Sequence, residues 1–335
     1  MTVSPLSSMA RLPRLTTTEA LTRLQRAVPA RAASNLLSFY SLPLNGIITD
    51  ASLAVVPSDD HGFHRGHCVF DTCNVAGGRA FGLTMHLDRL MGSAKQARIL
   101  TDDEASLEYR ESLRSIILDT IAATGRTDDV FVRYWLSVGR GDYAISPSKL
   151  DSGPQFFVVA HEDSHSAKEP RGMTACIVET PLKPALLATM KCTNYLLNAL
   201  VAMAAEDKGA QLGIQLDDDG YLAESAVSTI AIVDAANGVL RSPPTRNILD
   251  STTWRRVAAL AEGVGVETTV APVSEADLRS AKESINLGGG WLSPIVSLDG
   301  AQVGNGEPGA VFRELDPVVR QDLLNRDMGD AIPYD

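Results

Sequence analysis

The chain has 335 residues, of which 44% are hydrophobic and 21% charged. That is the balance of a globular protein long enough for two hydrophobic cores, and it excludes a disordered or fibrous chain. A formal net charge of −11 and a pI near 5.0 argue against nucleic acid or an anionic membrane as a partner, since both call for clustered Lys and Arg.

In chain order, residues 1–35 form an N-terminal extension. Within it Thr16-Thr17-Thr18-Glu19, followed by Ala20, Leu21 and Leu24, predicts a capped amphipathic helix packed on the body. The first 34 residues also hold five arginines and a single acid, Glu19. That bias belongs to transit peptides, so a plastid is the alternative to a cytoplasmic location. From Leu36 to His161, runs of β-branched and aromatic residues at Ile47 to Val56, Cys68 to Val75 and Val130 to Val138 predict strands. Helical spacing predicts helices at His86 to Ile99 and Asp103 to Thr124. This mixture implies a smaller α+β domain over residues 36–161. Polar Glu162 to Gly172, with Pro170 and no apolar period, is the expected interdomain linker. Beyond it, strands are expected at Thr174 to Glu179, Gly213 to Leu216, Ile230 to Val233 and Ile285 to Leu287. Helices are expected at Asn194 to Lys208, Ser251 to Glu262 and Ser274 to Lys282. Residues 173–335 are thus a second, α/β domain, with room for a cofactor between the two.

No apolar run approaches the roughly 18 residues of a spanning helix, and no secretory signal pattern opens the chain, so no membrane association is expected. Cys68, Cys73, Cys176 and Cys192 show neither CxxC nor His-rich spacing, which predicts reduced thiols and no metal site.

Three segments carry chemistry. Lys191-Cys192-Thr193-Asn194-Tyr195-Leu196-Leu197-Asn198 offers a lysine at a helix start, and Gly220-Tyr221-Leu222-Ala223-Glu224-Ser225 offers an acid behind a turn. His64-Arg65-Gly66-His67-Cys68-Val69-Phe70-Asp71-Thr72, with His86-Leu87-Asp88-Arg89-Leu90, brings a cation suited to phosphate. Singly, each reads as ordinary surface charge. Together they match what pyridoxal phosphate needs: an amine for its Schiff base, an acid for its ring nitrogen and a seat for its phosphate.

In these segments the chain resembles the fold-type IV pyridoxal-phosphate enzymes, which include branched-chain aminotransferases, D-amino-acid aminotransferases and aminodeoxychorismate lyases. The likeness runs from about Leu36 to Asn325. It implies a two-domain α/β (α+β) fold with pyridoxal 5'-phosphate between a smaller N-terminal and a larger C-terminal domain, and a homodimer in which a partner loop closes each site. Carried over position by position, Lys191 is the Schiff-base lysine and proton shuttle, Glu224 the partner of the ring nitrogen, and Arg89 the phosphate arginine. Tyr195 either bonds the phenolic oxygen or is a core tyrosine. Ser251-Thr252-Thr253 forms a phosphate-facing helix start, with Ser251 where the family has glycine. Gly288-Gly289-Gly290 takes the place of a second phosphate loop.

Phe39-Tyr40-Ser41, Asp60-His61-Gly62-Phe63-His64-Arg65-Gly66-His67, Arg133-Tyr134-Trp135-Leu136-Ser137 and Gly141-Asp142-Tyr143 are similar to the plant-type D-amino-acid aminotransferases. The Arg-x-His pair and tyrosine that trap the substrate carboxylate in bacterial relatives are replaced by Tyr143, Ile145 and Phe70. Arg140 or backbone donors near Thr252 are the expected substitutes, unless Arg140 is only a solvated loop residue. The resemblance therefore implies amino-group transfer from a D-amino acid to a 2-oxo acid. The alternatives are pyruvate elimination giving 4-aminobenzoate, or a branched-chain or (R)-amine aminotransferase.

Overall fold

The strands marked by β-branched and aromatic runs pair into two sheets in a computed structural model, which describes residues 12–162 and 172–334. Except for its end residues, the expected linker at Glu162 to Gly172 lies outside the described residues. The first sheet is built from β1 (Leu36–Ser41), β2 (Gly46–Ile48), β3 (Cys68–Ala76), β4 (Arg79–Phe81), β5 (Val130–Ser137) and β6 (Gln155–Glu162). Of the strand expected at Ile47 to Val56 only β2 forms. Asp50 Oδ1 accepts from Ser52 N at 2.9 Å and starts a 3-10 turn at Ala51–Leu53, which ends the pairing.

Helices α1 (Thr17–Ala27), α2 (Ala30–Asn35), α3 (His61–His64), α4 (Leu83–Gln96) and α5 (Leu107–Ala122) accompany this sheet. The capping box of α1 forms between Thr16 and Glu19, but the helix buries none of its residues, and Leu21 and Leu24 stay 46% and 37% exposed. Capping chemistry is local; the helix does lie against the Ala51–Leu53 turn of the body, but without burying a residue. The core forms where Val69, Cys73 and Val75 of β3 and Val130, Val132, Tyr134 and Leu136 of β5 meet Leu83, Leu87 and Leu90 of α4 and Ile117 of α5.

The second sheet is mixed. It comprises β7 (Met173–Ile177), β8 (Leu212–Leu216), β9 (Leu222–Ser225), β10 (Thr229–Val233), β11 (Leu240–Ser242), β12 (Thr268–Val270), β13 (Glu283–Gly288), β14 (Trp291–Leu298) and β15 (Ala301–Gln302). Its order is β12-β11-β10-β13-β14-β7-β8-β9, with β15 beside β14. Around it lie α6 (Ala185–Ala188), α7 (Leu196–Asp207), α8 (Thr252–Ala261), α9 (Glu275–Ser280) and α10 (Ala310–Asp322). Trp254 and Val257 of α8 and Phe312, Leu315 and Val319 of α10 cover one face. The start of α10 is fixed by Glu283, whose carboxylate oxygens accept from Val311 N and Phe312 N at 2.9 Å each. Gly309 leaves room for that carboxylate, since a Cβ there would lie 1.9 Å from Glu283 Cδ. The last strand, β16 (Gly329–Ala331), returns to pair with β4 of the first sheet. All four cysteines are buried and free.

Candidate active site

Lys191 reaches the interior because its segment is stitched to the first sheet. Lys191 O accepts from Phe70 N at 2.8 Å and Cys68 O from Thr193 N at 2.9 Å, so residues 191–193 run beside the start of β3. The two asparagines of the motif clamp it. Asn194 Nδ2 donates to Gly66 O at 3.0 Å, and buried Asn198 Nδ2 donates to Ala226 O at 2.5 Å, which ties α7 to the turn after β9. Glu224 lies on β9. The hairpin that delivers it closes on Asp217, whose Oδ1 accepts from Asp219 N and Tyr221 N, and on Gly220 at φ +80°, where a side chain would be strained.

Around Lys191 the walls are aromatic. Its Nζ lies 4.7 Å from the Phe70 ring centroid, Tyr195 meets Phe70 edge-on at 5.1 Å, and Lys183 Nζ sits 4.2 Å over Tyr195. Burial lowers the Lys191 amine to a pKa of about 8, with Asp71 and Glu224 pulling up and Arg89 pulling down. Burial pushes the Glu224 carboxyl up to about 7, against Lys183, Lys191 and an N–H from Leu249. Both groups therefore change charge near neutral pH, as acid–base chemistry at that pH requires. The Tyr195 phenol is held above its usual range, first by burial and then by Glu224.

A second cluster gathers where α4, the start of α8 and the β13–β14 turn converge. Alternation along β3 puts Asp71 on the same face as Val69 and Cys73, toward α4. There it is fully buried, accepts from Arg89 Nε and Nη2 at 2.8 Å each, and lies 3.0 Å from His86 Nδ1. Burial would raise its pKa, but Arg89 and His86 more than cancel this and hold Asp71 well below the usual carboxylate range. The fork fixes Arg89, whose Nη1 donates to Asp250 O at 3.0 Å. Ser251 Oγ caps α8 by accepting from Trp254 N, and Thr252 and Thr253 lead the helix. Gly288 ends β13, and Gly289 and Gly290 turn at φ +62° and +83°. Gly290 N donates to Thr253 Oγ1 at 3.0 Å, and Asn74 Nδ2 to Gly289 O at 2.6 Å. A cavity lined by Thr72, Asn74, His86, Thr252, Thr253 and Gly289 lies among them. A helix start, a fixed guanidinium and open glycine backbone together make an anion seat.

The other residues named from sequence belong to a different cluster. Arg140 Nε donates to Asp59 at 3.2 Å; Tyr143 is 61% exposed, with its hydroxyl 3.0 Å from Ser58 Oγ and its ring against His64. Arg65 braces the same loop through the carbonyls of Tyr143 and Ala144. Sequence reading did not single out Asp71, Asn74, Arg133 or Lys183. Arg133 shows a usable signal, a charge on the Phe131-Arg133-Trp135 face of an otherwise apolar strand, and its guanidinium stands 5.8 Å from the Phe70 ring. Asp71 shows none, because only the α4 packing reveals its partners.

The donor set fits the cofactor implied by the sequence. Lys191 offers an amine able to lose its proton, Glu224 an acid for a ring nitrogen, and the Arg89, Thr253 and Gly289 cluster an anion seat. Asp71, Arg89 and Glu224 all act on the charge of Lys191.

Known proteins agree. The family model for amino-transferase class IV matches residues 68–298. The chloroplastic D-amino-acid transaminase of Arabidopsis thaliana is 34% identical over 92% of this chain and 81% of its own length. A putative branched-chain-amino-acid aminotransferase of Methanocaldococcus jannaschii is 30% identical over 81% of this chain and 92% of its own. The fold matches the branched-chain aminotransferase of the thermophilic archaeon Thermoproteus uzoniensis, solved with norvaline, with a TM-score of 0.76 and 21% identity over 88% of this chain and 96% of that one. The chain belongs to the class IV aminotransferases and is a pyridoxal-phosphate-dependent aminotransferase with their two-domain α+β architecture.

Proposed function

We propose that this enzyme transfers the amino group of a D-amino acid to a 2-oxo acid. The observation that carries this reading is the 34% identity, over 92% of the chain, to a D-amino-acid transaminase. Pyridoxal phosphate, when bound, supplies an electron sink for the substrate's α-carbon. Lys191 holds the cofactor covalently and, with its pKa near 8, moves the proton at the α-carbon. Glu224 keeps the ring nitrogen protonated, and a cation bound against it restores its ionised form. Arg89, Thr252, Thr253, Gly288 and Gly289 hold the phosphate, and Tyr195 bonds the phenolic oxygen. Phe70 walls the substrate side.

Lys191 sets the face from which the proton leaves; where the carboxylate is held then decides the enantiomer. A branched-chain L-amino acid is the second reading, favoured by the 30% identity to the archaeal relative. Exposed Phe63, Tyr143 and Ile145 offer an apolar edge for a second copy and support a homodimer. The proposed location is the cytoplasm. The Arabidopsis relative's chloroplastic name supports the plastid alternative; no helix among the described residues is long and apolar enough to cross a membrane.

A half-reaction screen tests the reading by following loss of the visible band of the Lys191-bound cofactor. D-alanine, D-methionine or D-aspartate should bleach it. Bleaching by L-leucine or an aromatic amine alone would refute D-specificity, and release of 4-aminobenzoate from aminodeoxychorismate without amino transfer would point to the lyase.

A further inference from the structure

Several sheltered arginines among the described residues are neutralised by a carboxylate. Arg110, Arg114, Arg241 and Arg256 each meet a carboxylate: Asp88 at 3.1 Å, Asp330 at 2.5 Å, Asp234 at 2.9 Å and Asp322 at 2.7 Å. Lys183 is different. It is half-buried, yet among the described residues it has no hydrogen bond and no ion pair; its ammonium rests 4.2 Å over the Tyr195 ring. An aromatic face offsets only part of the cost of taking a cation from water, and Glu224, the main charge acting on Lys183 from within the chain, makes no direct ion pair with it.

The position of Lys183 is built rather than incidental. Pro181 and Pro184 bracket it and restrict the backbone. Buried Gln215 of β8 reaches across, its Nε2 donating to Thr180 Oγ1 at 2.9 Å, Thr180 O at 3.2 Å and Pro181 O at 3.3 Å. Leu187 N and Ala188 N close on Pro184 O at 2.8 and 3.0 Å, starting α6 directly after it. The lysine thus enters the cleft from an anchored loop. Lys191 and Lys183 lie against the two members of one aromatic pair, Phe70 and Tyr195, so both line the same aromatic wall. Arg140, one of the two substitutes expected from sequence, is already engaged by Asp59.

We propose that Lys183 binds the α-carboxylate of the amino donor and takes the place of the missing Arg-x-His trap. The assignment rests on the transaminase reading but not on the donor's handedness. A carboxylate beside Lys183 also counters the burial that lowers its pKa, so binding keeps the ammonium charged.

The test uses the holoenzyme with Lys183→Met and Lys183→Arg, and two readouts. One is the Kd of propionate, a carboxylate without an amine, followed through the cofactor's visible band. The other is the concentration dependence of the half-reaction with whichever enantiomer reacts. Losing a charge-assisted hydrogen bond should raise both the propionate Kd and the donor's half-saturation roughly ten- to a hundredfold in Lys183→Met, with partial recovery in Lys183→Arg. A propionate Kd equal to the parent's, or a loss confined to the limiting rate, overturns the proposal; the second outcome would place Lys183 behind Glu224 instead. If Lys183→Met does not fold, reductive methylation of the parent holoenzyme decides: propionate must protect Lys183 in the peptide map, and an unprotected Lys183 overturns the assignment. Failure of every D-amino acid with success of L-leucine would remove the D-specific reading and leave the propionate result standing.

Discussion

Asp71→Asn keeps the shape of a fully buried side chain and deletes its charge. In the parent, one carboxylate takes both arms of the Arg89 fork at 2.8 Å and faces His86 at 3.0 Å, while the Arg89 side chain is only 15% exposed. Breaking such a pair strands a buried guanidinium, which costs about 3–5 kcal/mol. A per-residue unfolding entropy of about 2.1 cal/mol/K gives about 0.7 kcal/mol/K for 335 residues, so the melting temperature of the cofactor-free protein should fall by about 4–7 °C. Because the folded pKa of Asp71 lies below its unfolded value, this stability is fully present above roughly pH 4 and is lost as pH falls toward the folded pKa. The variant should therefore show a shallower acid limb as well as a lower neutral plateau. Cofactor affinity should weaken too, since Arg89 loses the partner that aims it. Calorimetry across pH, with cofactor titration and the double variant Asp71→Asn/Arg89→Met, checks each step. The double variant should cost less than the sum of the singles. A melting temperature and cofactor Kd within error of the parent would falsify the idea that Asp71 positions Arg89.

Borohydride reduction of the holoenzyme should place the label on Lys191, and a label on Lys183 or Lys208 would overturn its role. In the cofactor-free protein, pH-dependent acylation of Lys191 should show a midpoint near 8. Since the unfolded lysine binds its proton up to about pH 10.4, this residue makes the cofactor-free protein more stable as pH rises between the two values. Glu224→Gln should retain fold and cofactor but slow single-turnover proton abstraction by roughly a hundredfold or more, as a neutral amide cannot keep the ring nitrogen protonated; unchanged rates would remove Glu224 from the site. Gly309→Ala should destabilise by about 1–3 kcal/mol, because its Cβ collides with the Glu283 carboxylate that caps α10. A neutral effect on urea midpoint would show that the cap can shift at no cost.

What the sequence determined by itself is local or carried in short strings. The β-branched and aromatic runs of Cys68 to Val75 and Val130 to Val138 form β3 and β5, Ser251 and Ser274 cap α8 and α9, and Lys191, Asn194 and Asn198 sit in one motif with separate tasks. Elements that break local rules were invisible. Strand β14 holds Pro294 in the sheet interior and α10 holds Pro317 within the helix, and both form because packing on the second core outweighs the missing donor. Pairing across the chain was equally out of reach. Asp71 meets Arg89 only once β3 packs on α4, Asn74 meets Gly289 across 215 positions, and Lys183 joins Tyr195 through a loop that Gln215 holds. Lys191, Glu224 and Arg89 are singled out by motifs that resemble those of the family, not by residue type or spacing alone. Their pKa values and aim, and the free cation beside them, come from burial and from neighbours supplied by other segments, which only the tertiary structure brings together.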